Sequence, residues 1–508
     1  MTHKDILYIS KDIFSVNNLF HCKPENFYKN LLITKQHMRH LFKTVSMALL
    51  LLVSFATISV AENTFKNPMG IHSAYIDYSK QAKVTKNVVT DYGMMSDLAK
   101  DQSSLLQKAI DDVSAQGGGI LRIPKGTYLL AGVFMKSNVH LVIDKGILLK
   151  PYWGNRDYID MLYFFKKDSK DKNYIENCSI RGNGGRYIVD YSTIPKNQKI
   201  KVRFILVGNV KNFSIADADI KDNSSVFCAI SFAPSDVKGS LDWEINRPTN
   251  GEMKNCSIFH ANPGYGLCQL HGARNIYFEN LYALGGVTLR LETGANTPYI
   301  GVYDIYAHDI KNENGRCAVM MGPHIAKNGT VKVDGVWTKS SSYAVKVGDG
   351  HTGGKHAAIP NVTKGYFAND SKIINIHAIY GTQAQNSTKA LYSFDKSEYK
   401  FLRYDDLIPY GKWILAPSYA AVYDGTKKHY KVTFENVTTE GFPIDRKILV
   451  EKEDSPDGDE TNALSMKIRD EIPHLRTWGG YTGELFTPKV PSKTIIPRSK
   501  ETISLSNH

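Results

Sequence analysis

Cysteine is scarce in this 508-residue chain: there are six, at positions 22, 178, 228, 256, 268 and 317. Removal of an N-terminal leader would leave five, an odd number without short spacings. That argues against a disulfide framework and for buried small apolar side chains. Neither C-x-x-C nor H-E-x-x-H occurs, so zinc sites of those kinds have no support. Long hydrophobic runs are missing too, and the apolar stretch from Met47 to Ala56 is too short to span a bilayer. Positive charge is in excess, 63 Lys and Arg against 50 Asp and Glu for a net +13. It forms no compact basic run and no nucleic-acid-binding motif, so the excess points to an anionic partner of another kind.

What is present is a globular composition, 42% apolar and 22% charged. The 29 Tyr and 21 Phe favour a β-rich fold and suit sugar-stacking surfaces. Arg39, His40 and Lys43 precede the apolar stretch, and Ser59-Val60-Ala61 follows it with the small residues of a cleavage site. Residues 1–61 therefore read as a signal-peptide region with its start at Met38, implying secretion. Residues 62–100 form a polar lead-in. Leu105, Ala109, Ile110 and Val113 mark one face of a helix that Gly117-Gly118-Gly119 ends. Alternating strands follow, broken by Pro124-Lys125-Gly126-Thr127-Tyr128. Helix, triple glycine and P-x-G-T-Y together resemble the start of right-handed parallel β-helices of the pectate-lyase-like superfamily.

From about 175 a short phrase recurs, as Val210-Lys-Asn-Phe-Ser-Ile215, Met253-Lys-Asn-Cys-Ser-Ile258, Arg274 to Leu281 and Tyr430 to Val437. Its spacing varies from about 18 residues to beyond 50, as expected for stacked coils with loops of unequal length. Asn212, Asn255, Asn280 and Asn436 mark turns within it, which stack as a ladder. A second strand family lies between the phrases and includes Val226–Phe232, Gly264–Leu270, Val287–Glu292, Cys317–Met321 and Tyr343–Val347. The pattern predicts an all-β fold, one β-helix over 101–450. It carries an inserted subdomain at about 382–425, where aromatics crowd, and 451–508 form a C-terminal appendage or tail.

Period-2 alternation puts Thr288, Arg290 and Glu292 on one face of their strand, with Gln269 and His271 outward on a neighbouring one. Glycoside hydrolysis uses an acid and a base, both usually carboxyl groups. Glu292 is the candidate acid, its pKa expected to rise through partial burial. Gln269 would position water or a sugar hydroxyl, and His324, after a Gly-Pro turn, would contact substrate. Arg290 and Lys346 are candidate ligands for anionic groups. The competing readings are a Glu292 salt-bridged between coils and a Gln269 in a structural amide ladder.

The β-helix start, the signal peptide and the Gln269/Glu292/His324 set together resemble the iota-carrageenases of glycoside hydrolase family 82, over roughly residues 70–445. The resemblance implies endo-acting cleavage of β-1,4 bonds in a sulfated galactan, with inversion. It implies an anionic sulfated polysaccharide as partner, no nucleic acid, a monomer not embedded in a membrane, and no cofactor for the chemistry, although structural calcium occurs in the family. The family pattern has an Asp two residues after the acid, proposed as base. Here Gly294 stands there, and Asp304, Asp309 and Glu313 lie downstream without an evident place opposite Glu292. The alternatives are a non-catalytic glycan-binding β-helix, which loss of the second carboxylate would favour, and a β-helix hydrolase or lyase on another anionic polysaccharide such as pectin.

Overall fold

The computed structural model describes residues 69–165, 173–193, 201–233, 247–294, 300–405, 413–452 and 458–476. The expected signal peptide and the far end of the tail lie outside them. The described residues belong to one compact unit, Phe65–His508. Helix α1, Ser103–Ala115, buries Leu106, Ala109, Ile110 and Val113, the i, i+3, i+4, i+7 stripe of an amphipathic helix. Leu106 completes this face rather than the expected Leu105, which lies about a quarter-turn from the stripe's centre at 100° per residue.

Among the described residues, 23 strands join in one sheet system in which coil stacks on coil. Its pairings are parallel from Thr85↔Ile120 at one end to Val422↔Ile448 at the other. The lead-in thus supplies a strand of the solenoid, because Thr85–Asn87 covers an edge that Gly119–Ile123 would otherwise expose. Crossover connections between parallel strands turn right-handed, and the chain is a right-handed parallel β-helix. Its interior is a column of side chains. Phe164, Phe213, Phe232 and Phe278 lie on successive coils with ring centroids 6.4, 5.9 and 5.8 Å apart, all fully buried. Each buried Phe contributes about 1.5–3 kcal/mol. Cys178, Cys228, Cys256, Cys268 and Cys317 are free and buried in the same way.

Six strands position the candidate site: β1 (Ile230–Phe232), β2 (Thr249–Leu270), β3 (Ala273–Glu292), β4 (Cys317–Gly322), β5 (Tyr343–Gly348) and β6 (Ala420–Gly425). β3 joins the two strand families in one element. Its first part carries the recurring phrase, it turns a corner at Gly285 and Gly286 with φ of 82° and 61°, and it ends in Val287–Glu292. A Cβ on Gly286 would stand 2.8 Å from the Asn262 carbonyl oxygen, so the corner requires glycine on steric as well as conformational grounds.

The asparagines turn two further corners rather than the one expected. Asn212 aligns with Asn177, Asn250 and Asn275, whereas Asn255, Asn280 and Asn436 belong to the next column. All four have φ between 50° and 53°, the left-handed region that Asn tolerates better than most residues. Their amides link coil to coil, with Asn280 Nδ2 donating to Asn255 Oδ1 at 2.9 Å, Asn212 to Asn177 at 2.8 Å and Asn436 to Asn375 at 3.0 Å.

Strands Ala384–Ser387, Arg403–Tyr404 and Trp413–Ala416 form a separate antiparallel sheet. Sequence patterning separates this insertion from the C-terminal appendage, but the two share one core. Leu391, Phe394, Leu402, Tyr404 and Ile414 pack with Ile472 and Leu475, which belong to the segment holding helices α2 (Gly458–Glu471) and α3 (Pro473–Arg476). The Tyr404 hydroxyl donates to the Leu475 carbonyl at 3.0 Å, and Ser465 Oγ to the Lys389 carbonyl at 2.8 Å. Neither piece has enough apolar residues to close a core by itself. No helix among the described residues is long and apolar enough to cross a membrane.

Candidate active site

Parallel register lines up one outward column, Ser231, Gln269, Arg290, Met320, Lys346 and Tyr423, on β1 to β6. The adjacent column holds Glu292, Gly322, Gly348 and Gly425; Gly322 and Gly348 leave open space beside the carboxylate, which the Tyr423 ring and Glu451 close at Gly425. The coil repeat here is 21 residues, 269 to 290, rather than the 23 that separate Gln269 from Glu292. Gln269 therefore sits level with Arg290 and reaches Glu292 on the diagonal, its Nε2 donating to Oε2 at 2.9 Å.

Glu292 has three partners. Arg290 Nη2 lies 2.5 Å from Oε2, and His324 Nε2 lies 3.3 Å from Oε1. The sequence-named Gln269, Arg290, Glu292 and His324 are thus brought into direct contact, while Lys346 lies two coils along the column from Arg290. The expected upward shift of Glu292 does not occur. Burial pushes its pKa up, but the Arg290 guanidinium and His324 outweigh burial and hold the carboxyl well below its usual range. Arg290 is nearly buried, and the Glu292 charge keeps its guanidinium protonated against that desolvation. Arg290 also donates to the Gly264 carbonyl on β2, which fixes its direction.

Position 294 cannot supply a second carboxylate. Gly294 has φ +64°, and a Cβ there would lie 2.4 Å from the Ala326 nitrogen and 2.8 Å from the Pro323 carbonyl oxygen. Asp304 and Asp309 stand in left-handed corner positions, at φ 53° and 56°. There they align with Asn275 and Asn280 on the neighbouring coil. Glu313 belongs to the same element, Val302–Glu313, and its pKa is raised by burial. None of the three joins the contacts around Glu292.

Arg316 and Trp413 escaped the sequence reading, and His271 was placed outward there without a role. His271 follows Leu270, which pairs with Leu291, so it lies in register with Glu292. Burial pushes its pKa down to about 4 and keeps it neutral. Its place in the Cys268-Gln-Leu-His alternation was the available signal. Arg316, just before β4, is desolvated enough to lower its pKa and lies over the Trp413 ring at 5.5 Å. Lys346 is lowered to about 8 by burial first and the nearby Arg316 charge second, and sits 5.3 Å from the Tyr423 ring. The insertion reaches this sheet directly, because Gln385 Oε1 accepts from the Gly286 amide at 2.7 Å. The assembly is a strip of three cations with aromatic neighbours around one ionised carboxylate.

A separate cleft of about 710 Å³ is bounded by Asp77, Arg181, Glu252, Lys254, Glu279 and His308. It holds none of the sequence-named site residues. Two of its acids are already engaged, Asp77 with Arg181 at 3.0 Å and Glu252 with Lys254 at 3.1 Å. Carboxylates predominate at its rim, the wrong sign for a polyanion. Charge favours the Glu292 strip over this cleft.

The fold is a parallel β-helix of the pectate-lyase-like kind. Residues 86–334 match the family described as rhamnogalacturonase A/epimerase, pectate lyase-like. The chain is similar in sequence to curated iota-carrageenases. It is 42% identical over 275 residues to an iota-carrageenase of Zobellia galactanivorans, covering 52% of this chain and 53% of that protein. It is 34% identical over 275 residues to one of Alteromonas macleodii, covering 53% and 54%. A solved iota-carrageenase in complex with iota-carrageenan fragments superposes with a TM-score of 0.66 at 26% identity, over 76% of this chain and 95% of that one. The matched segment spans about half the length of the curated relatives.

Proposed function

We propose that this protein is an exported, endo-acting glycoside hydrolase that cleaves β-1,4 bonds of a sulfated galactan, iota-carrageenan, with inversion. The observation that carries this reading is Glu292 held by Gln269, Arg290 and His324 in the middle of a basic strip. Sulfate esters along a galactan would meet Arg290, Arg316 and Lys346, with guanidinium suited to two-point contact with oxyanions. The partly exposed Tyr423 ring offers a surface for a sugar ring.

Glu292 is the proton donor in this reading, and its ionised resting state sets a condition. Arg290 must exchange the carboxylate for a substrate sulfate, after which burial dominates and the Glu292 pKa rises. Gln269 would then hold water or a sugar hydroxyl, and His324 the substrate near the cleaved bond. Water activation falls to a group other than residue 294. The basic leader at Arg39 to Lys43 and the apolar stretch after it support export.

The test is product analysis of the purified protein on iota-, kappa- and lambda-carrageenan, agarose and polygalacturonate. Sulfated even-numbered oligosaccharides from iota-carrageenan alone support the reading. Retention on a carrageenan gel without cleavage would replace it with the glycan-binding alternative.

A further inference from the structure

We propose that His324, His351 and His356 form a transition-metal site, and that the bound ion controls the imidazole facing Glu292. Two loops bring the three rings together. His324 follows Pro323 at φ 46°, and its carbonyl accepts the His351 and Gly365 amides, both at 2.9 Å. Ring centroids are 4.8 Å apart for His324–His351, 5.7 Å for His324–His356 and 5.2 Å for His351–His356. One ring nitrogen from each residue lies within 4.8 Å of the other two. A tetrahedral ion with bonds of about 2.0–2.1 Å needs these nitrogens roughly 3.4 Å apart. Gly353 and Gly354, with open space around them, lie between His351 and His356 and allow that closure.

The two nitrogens of His324 have different surroundings. Nε2 faces Glu292, while Nδ1 is buried without a hydrogen-bond partner. A metal on Nδ1 would satisfy that atom and leave Nε2 as the N–H that Glu292 accepts, the carboxylate–histidine–metal arrangement found around bound zinc. His356 is 2% exposed and would anchor the site from inside, while exposed His351 gives an ion its way in. Three imidazoles select zinc, copper, nickel or cobalt, whereas calcium takes oxygen ligands. A bound ion would fix the ring and tautomer of His324 and pin Glu292 in its resting contacts. Zinc would therefore slow cleavage, a consequence that rests on the proposed function, whereas metal binding does not.

The experiment uses the full chain without a polyhistidine tag, stripped of metal, with Co²⁺ as a spectroscopic probe. One equivalent should give the visible absorption of a tetrahedral cobalt–imidazole site, and His351→Gln and His356→Gln should each abolish it with melting curves unchanged for exposed His351. Excess Zn²⁺ should lower the wild-type cleavage rate about tenfold or more, reversibly with chelator. His351→Gln should keep the metal-free rate and lose the zinc effect. Cobalt spectra identical in wild type and variants would overturn the site. Zinc that binds without slowing cleavage would overturn the coupling to Glu292. A protein that cleaves nothing would defeat the proposed function, while the cobalt spectrum would still decide the site.

Discussion

The asparagine ladder and the Glu292 strip are both columns of aligned residues on the same stacked coils, yet one repeats and the other does not. The ladder places Asn177, Asn212, Asn250 and Asn275 on successive coils at φ 52–56°, and Asn255 and Asn280 repeat the arrangement at the next corner, because each coil must turn the same corners and pass amide bonds to its neighbour. In the strip, Ser231, Gln269, Arg290, Met320, Lys346 and Tyr423 follow one another without repetition. Backbone geometry asks for no particular side chain there. A solenoid thus separates its tasks by column. Repetition marks what the coil needs to close, and departure from repetition marks what a ligand needs.

Substitution in each column tests this division. The largest effect is expected from Glu292→Gln, which should lower cleavage of iota-carrageenan by about 10²–10⁴-fold while leaving the melting temperature near its wild-type value. Glu252→Gln, in the acid-rimmed cleft, should leave the rate unchanged, and a reversed outcome in reducing-sugar assays would move the active site there. Gly294→Asp sharpens the comparison next. An Asp at this position should destabilise the fold by about 2–5 kcal/mol, since the residue must adopt φ +64° and crowd Ala326. Denaturant melts would read this, and a stable, faster enzyme would refute the steric argument.

Breaking the ladder should do the opposite of breaking the strip. Asn280→Ala loses an inter-coil hydrogen bond and places Ala at φ 50°. It should cost about 1–3 kcal/mol of stability with kcat within about twofold of wild type. The smallest effect is a pH dependence. Burial holds Lys346 near a pKa of about 8. It is charged below that value and loses its proton as pH rises through it. Affinity for sulfated oligosaccharides should fall roughly fivefold, about 1 kcal/mol, between pH 7 and 9. Lys346→Arg should flatten the profile in calorimetric titrations.

Much of this site was legible because strand alternation is a local property. Arg290 and Glu292 share a face by their spacing alone, and Gln269 and His271 do so on the coil beside them. The alternation could not show which outward residues meet. Register is set by corner lengths and by the bulge between Phe259 and Gly266, so the diagonal reach of Gln269 to Glu292 was not readable as such. Arg316 and Trp413 were hidden for a related reason, because contact between an insertion and a distant coil leaves no periodic trace.

By itself, the sequence determined the class of fold. Period-2 alternation, recurring Asn corners and glycine turns can be satisfied together by parallel coils that share one core. It also determined which carboxylate stands among basic outward residues. Only the tertiary structure decided the charge state of Glu292, since burial and the Arg290 ion pair oppose each other and their balance depends on distance. It likewise decided that position 294 has no room for a side chain, that insertion and C-terminal segment share a core, and that three histidines from two loops converge behind the acid. Each depends on contacts between residues far apart in the chain, where packing rather than local pattern sets the outcome.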